Sequence, residues 1–260
     1  MYTFFHGLLA DKKGGEIFVL FGFWHFFYIA LTVAVITAVM LFWRGKDRAV
    51  KEKIGKCFIY AAFALYMADF FLMPLAYGEI NIEKLPFHAC TTMCLICFMS
   101  YHVKFLEKYR TSFAMLGFIS NFVYLICPAG VMWYEVHPSS YRVIQTLLFH
   151  GVMAVYGFLT LAHSYKEINF KKWYRDLLVI VCMISWALLG NYIYNATTEG
   201  YSHFFNWFFV VQDPFNLFPQ NIAPYIMPFL NVVLFFAAEI LIHLVIMAAK
   251  KIQLKKAALV

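Results

Sequence analysis

Charge is scarce in this sequence. Asp, Glu, Lys and Arg make up 13% of its 260 residues, against about 25% in ordinary soluble domains, which excludes a soluble Rossmann or TIM-barrel enzyme. Low-complexity tracts are missing, which removes a disordered tail. No internal repeat or second domain is visible, and few glycines or prolines interrupt the apolar runs. The six cysteines lie in or beside those runs, so they are not the framework of a secreted disulfide scaffold. What remains is 63% hydrophobic and 20% aromatic, with a mean hydropathy of +0.70. Several stretches reach about 20 apolar residues, enough to cross a hydrocarbon core ~30 Å thick. The chain reads as an all-α, polytopic membrane bundle.

Seven spans are expected, at 17–43, 57–77, 86–103, 113–134, 141–162, 177–195 and 225–249, within a single transmembrane domain covering 1–260. The net charge of +7 comes from short loops between spans and is no nucleic-acid surface. Six basic residues lie in 44–56, three in 104–112, four in 163–176 and four in the C-terminal tail. The other side holds only Lys12, Lys13, Lys84 and Arg142. Because positive loops stay on the cytoplasmic side, the N-terminus is expected outside and the C-terminus inside, in a multi-pass protein of the cell membrane. Loop 196–224 has no Lys or Arg and carries an aromatic run, Tyr201 to Val211, followed by Pro214, Pro219 and Pro224. It reads as an interfacial or re-entrant element on the outer side.

Two patterns invite cofactor readings. Cys90, Cys94 and Cys97 spell C-x3-C-x2-C, the iron–sulfur pattern of radical enzymes. On a membrane helix, spacings of four and three stack the thiols along one face, where they cannot converge on a cluster. His88 with His102, and His150 with His163, suggest a di-haem cytochrome b bundle. Fourteen residues return to nearly the same helix face, but thirteen do not, and His163 sits at the cytoplasmic boundary. The haem electron carrier stays as a lesser alternative, and the favoured reading needs no cofactor or metal. Glu239 and His243, four apart on the last span, are expected to form a structural pair.

The depth of the polar residues is more informative. At ~1.5 Å per residue, Cys90 and Asn191 lie roughly 6 Å below the outer boundary, and Asp69, His25 and His150 roughly 12–13 Å below it. His88 lies within a turn of the surface. Polar groups within spans are costly and are candidates for function. Pro86 is expected at the first helical position, which puts Cys90 near a helix N-terminus, where unpaired N–H groups favour a thiolate. His88 is 200° away on the same helix, so the base should be His150 from another span. Asn191 or Asp69 could orient it, with Asn191 and His88 donating to an oxyanion. This geometry requires Cys90 and His150 within about 6 Å of each other, in a cavity beneath 201–219.

Leu85-Pro86-Phe87-His88-Ala89-Cys90 resembles the L-P-x-H-x-C helix start of the YwaF-like bacterial integral membrane proteins. Phe149-His150-Gly151, Gly190-Asn191-Tyr192 and Pro224-Tyr225 resemble further motifs of that family, with Ala223 in place of its tryptophan. The related eukaryotic transmembrane-protein-164 group is regarded as phospholipid acyltransferases using a Cys and a His. The resemblance implies those roles for Cys90 and His150, with a membrane phospholipid or acyl lipid as partner. A transporter or solute-binding membrane protein without chemistry is the alternative, since the same polar layer could line a solute site.

Overall fold

The computed structural model describes residues 17–77, 82–128, 136–197, 205–214 and 216–257. Lys12, Lys13, the end of the fourth expected span and residues 201–204 of the outer loop lie outside the described residues. Every regular element described is helical.

Helix α1, Phe23–Phe42, is apolar around its whole circumference and buries only a thin stripe of His25, Tyr28 and Thr32. Those residues recur at helical spacing, so one face packs inward while the rest faces lipid. Helix α2, Arg48–Tyr77, starts well before the expected residue 57. Asp47 caps it, its Oδ1 accepting from the Val50 N–H at 2.8 Å. Most of the basic segment 44–56 is therefore the first turns of α2. Lys and Glu are good helix formers, and their long stems let the charged ends leave the apolar zone.

The third and fourth expected spans are realised as short helices. Helix α3 covers Ala89–Met99, 11 residues, or roughly 16 Å at 1.5 Å per residue. Pro86 does not open it. Residues 85–88 form a turn, His88 is the N-cap, and the Thr92 hydroxyl reaches back to the Pro86 carbonyl. At the other end Arg110 donates to the Ser100 carbonyl at 2.8 Å and to its hydroxyl at 3.2 Å. These bonds close α3 early. A single turn, α4, Lys104–Glu107, leads into α5, Arg110–Ile126, 17 residues long.

Helix α6, Tyr141–Ser164, is the hub of the bundle, with α1, α2 and α5 packed around it. Ser140 caps it, accepting from the Val143 N–H at 3.4 Å. Gly157 brings α6 against α5, where a Cβ would lie 2.8 Å from the Ala114 carbonyl oxygen and 2.9 Å from the Phe118 Cα. Small residues permit this close approach, and dispersion between the two surfaces then holds the pair. Helices α7, Trp173–Thr197, and α8, Ala223–Ala257, complete the bundle.

Among the described residues, five helices are long and apolar enough to cross a membrane. Helices α3 and α5 are shorter, and just over half of their residues are buried against neighbours. The chain is a polytopic helical membrane protein.

Candidate functional site

The turn before α3 is fixed from α2. Lys84 Nζ lies 2.7 Å from Asp69 Oδ2, and the Tyr66 hydroxyl donates to the Lys84 carbonyl at 2.8 Å. The Tyr141 hydroxyl at the start of α6 donates to the other Asp69 oxygen at 3.1 Å. Asp69, 2% exposed, thus joins α2, the turn and α6. It orients no histidine; its partners are a lysine and a tyrosine. The Lys84 ammonium in turn lies within electrostatic reach of His88, Cys90 and His150.

Cys90 occupies the second position of α3. No side chain caps this helix, so its first N–H groups have no helical acceptor. Cys90 packs against the main core, which includes Tyr66 of α2 and Phe149 of α6. Cys94 and Cys97 continue the same face downward and are fully buried, so the three thiols stack along the helix.

His150 is buried in α6. Its Nδ1–H donates to the Thr146 carbonyl at 2.6 Å, and the ring stacks on Tyr124 with centroids 3.7 Å apart and planes 10° apart. The carbonyl fixes the tautomer, because Nδ1 must carry the hydrogen and Nε2 is left with a lone pair. Among the described residues, the buried Nε2 meets no hydrogen-bond partner. An oriented imidazole with an unused basic nitrogen is what a general base requires. His150 also lies within electrostatic reach of His88.

His88 connects this layer to the outer loop, its Nδ1 accepting from the Phe208 N–H at 3.3 Å. Asparagines hold that loop in place. Asn191 receives the Trp207 N–H at 2.9 Å and donates to the Trp207 carbonyl at 3.0 Å and the Ala187 carbonyl at 2.8 Å. Asn195 makes the same two-way exchange with Phe205, and Asn231 of α8 donates to Phe209. Phe208 and Phe209 have φ of 61° and 52°, a left-handed conformation costing non-glycine residues about 1–2 kcal/mol each. Loop 205–214 is thus pinned over His88 in a strained shape. With both amide hydrogens bonded to carbonyls, Asn191 braces the roof; an oxyanion would have to displace one of those bonds.

His25 is fully buried elsewhere. Its Nε2–H donates to the Leu125 carbonyl at 2.6 Å and its Nδ1 accepts from the Phe21 N–H at 2.9 Å. Both ring nitrogens are used to tie α1 to the end of α5. His102 is exposed and shares a 2.7 Å hydrogen bond with the Tyr60 hydroxyl, and His163 lies against Trp43. The expected Glu239–His243 pair is replaced by another. His243 Nε2 meets Asp176 Oδ2 of α7 at 2.8 Å, while the buried Glu239 carboxyl has no hydrogen-bond partner among the described residues. Helix–helix packing brings Asp176 closer to the imidazole than the in-helix neighbour.

A cavity of about 480 Å³ runs along the other face of α3, between Pro86 and Trp186 at one end and Phe105 and Tyr109 at the other. No residue of loop 205–214 lines it, so it is not the cavity expected beneath that loop.

Cys90 and His88 thus stand at the start of α3, beside the turn that Lys84 and Asp69 hold, His150 lies on α6, Asn191 braces the roof, and His25 belongs to a separate contact. Lys84 was legible in the sequence only as a basic residue on the sparsely charged side; its pairing with Asp69 required the folded turn. Neither the backbone carbonyl of Thr146 nor the stacking Tyr124 carries a sequence signal.

The TMEM164 family model matches residues 20–249. No curated protein and no solved structure matches the chain. The match covers every described helix from α1 to α7 and most of α8, and it includes His25, Asp69, His88, Cys90, His150 and Asn191. The chain belongs to the TMEM164 family.

Proposed function

We propose that this protein is a membrane-embedded enzyme that transfers or hydrolyses lipid acyl esters, with Cys90 as nucleophile and His150 as base. The observation that carries this reading is His150: buried, held in one tautomer by Thr146, with Nε2 unpartnered among the described residues. A buried polar nitrogen without a partner is costly, and its retention suits a role that begins when substrate arrives.

In this mechanism Cys90 Sγ attacks the ester carbonyl and its proton passes to His150 Nε2. The carbonyl π electrons move onto oxygen, and the oxyanion is stabilised by the N–H groups at the start of α3 and by the Lys84 ammonium. Collapse breaks the ester C–O bond, and the leaving alcohol takes the proton from His150. A second alcohol, or water, then attacks the thioester while His150 accepts its proton, which returns to the sulfur as the thioester breaks. Concerted transfer avoids an isolated buried thiolate, whose desolvation would be expensive. The six residues 85–90 leading into α3 and the His150-Gly151 motif also favour kinship with the YwaF-like bacterial branch. The Lys/Arg distribution favours an N-terminus outside and a site in the outer half of the cell membrane, within one transmembrane bundle.

The test uses purified protein in vesicles containing an acyl-labelled phospholipid. Label should move to a lysolipid acceptor or to water, and a thioester at Cys90 should be trapped by rapid acid quench and peptide mass spectrometry. Wild-type turnover by Cys90→Ala, with the fold intact, would overturn the mechanism.

A further inference from the structure

The apolar groove on the far side of α3 is a separate feature from the Cys90 layer. Cys90, Cys94 and Cys97 share one face of the helix, and the groove residues Thr92, Ile96 and Met99 lie on the opposite face. Its walls come from α3, α4, α5 and α7, and Leu178 and Trp186 on its rim are 48% and 41% exposed. In a membrane that rim opens onto lipid.

The two ends differ in chemistry. At the Pro86 end the polar groups are already satisfied within the protein. The Trp186 indole N–H donates to the Pro86 carbonyl at 2.7 Å, and the Thr92 hydroxyl bonds the same oxygen. This end offers nothing to a headgroup. At the Phe105–Tyr109 end two cations rest on the lining aromatics. Lys108 Nζ is 4.4 Å from the Phe105 ring centroid and 5.3 Å from that of Tyr109. The Arg175 guanidinium is 5.7 Å from the Tyr109 ring, and it donates to the Lys108 carbonyl at 3.3 Å. Neither cation has a carboxylate partner among the described residues; the nearby Arg110 takes Glu52 and Glu107.

We propose that this groove holds one acyl tail of an anionic glycerophospholipid whose phosphate sits between Lys108 and Arg175. The groove runs the length of α3, roughly 16 Å at 1.5 Å per residue, which matches one leaflet, about half of a ~30 Å hydrocarbon core. An apolar cavity open to acyl chains fills with them, since an empty one forfeits the contacts of its lining. The guanidinium fork and the ammonium supply the charge-assisted donors that a phosphate accepts. By the loop charges the Lys108–Arg175 end is the cytoplasmic one, so the headgroup and its adjoining esters lie at the far end of α3 from Cys90. The bound lipid therefore supports the bundle and is not the substrate.

The experiment titrates purified full-length protein in detergent with dioleoylphosphatidylglycerol or dioleoylphosphatidylcholine. It follows the melting temperature and counts retained lipid by native mass spectrometry. Phosphatidylglycerol should raise the melting temperature and remain bound at one molecule per chain, with phosphatidylcholine much weaker. The double variant Lys108→Gln/Arg175→Gln should need about ten- to thirty-fold more phosphatidylglycerol for half the shift, on the basis of two lost cation–phosphate contacts. Leu178→Trp, at the exposed rim, should block the tail and abolish the shift while leaving the lipid-free melting temperature near wild type. Equal effects of the two lipids, or a shift unchanged by either variant, would overturn the proposal. No enzymatic activity enters the readout, so this result is independent of the Cys90 mechanism.

Discussion

Lys84 and Asp69 meet at 2.7 Å, the carboxylate buried and the lysine side chain 28% exposed. This contact fixes the turn that presents His88 and Cys90. Removing one member leaves the other charged and poorly solvated, which in a fully buried pair costs about 3–5 kcal/mol. Because Lys84 is partly exposed, Asp69→Leu should cost about 3 kcal/mol or less, read as a lower melting temperature. Adding Lys84→Met to Asp69→Leu should recover part of the loss. If the double variant is as unstable as the sum of the single ones, the pair does not stabilise the turn in this way.

Cys90→Ala and His150→Ala should each lower acyl transfer by about 10³-fold or more, and the double variant should be no worse than either alone. Thr146→Ala should stay within a few-fold of wild type, because the bond to His150 uses the Thr146 backbone carbonyl and not its side chain. Measured turnover in vesicles distinguishes these outcomes; additive losses would mean that the two residues act separately.

Asn191→Ala removes the two-way exchange with Trp207 and leaves a buried N–H and carbonyl unpaired, at about 1–3 kcal/mol for each orphaned group. Loop 205–214 should then become a preferred site of limited proteolysis. A loop as resistant as wild type would show that Asn195 and Asn231 suffice to hold it.

His25→Phe keeps a ring of similar size but leaves the Leu125 carbonyl and Phe21 N–H without their partner. The melting temperature should fall, by about 1–3 kcal/mol for each unpaired group in free-energy terms, while turnover per folded molecule stays at the wild-type level. A selective loss of turnover would return His25 to the reaction.

Gly190 lies against the Phe87 ring, and a Cβ there would overlap the Cγ, Cδ1 and Cε1 atoms of that ring. Gly190→Ala should therefore destabilise by about 1–3 kcal/mol through overpacking. Phe87→Leu in the same chain should restore part of the loss, since the smaller side chain can move aside. Thermal unfolding of the three variants provides the measurement.

The membrane class, the helical content and most helix positions follow from local rules: apolar runs long enough to span, capping residues and charged loop ends. Cys90 at a helix start and His150 within a span could also be read locally, because each depends on its own segment. The early start of α2 is local too, since Asp47 caps it three residues from Val50. The shortness of α3 is not, because it arises where Arg110 binds Ser100, a contact between separate elements. The roles of the polar residues divide the same way. His25, Asn191 and His243 each have partners far along the chain, in Leu125, Trp207 and Asp176. Hydrogen bonds are short-ranged and directional, so only the packed helices determine which polar side chains are saturated and which, like His150 Nε2 among the described residues, are left unpaired.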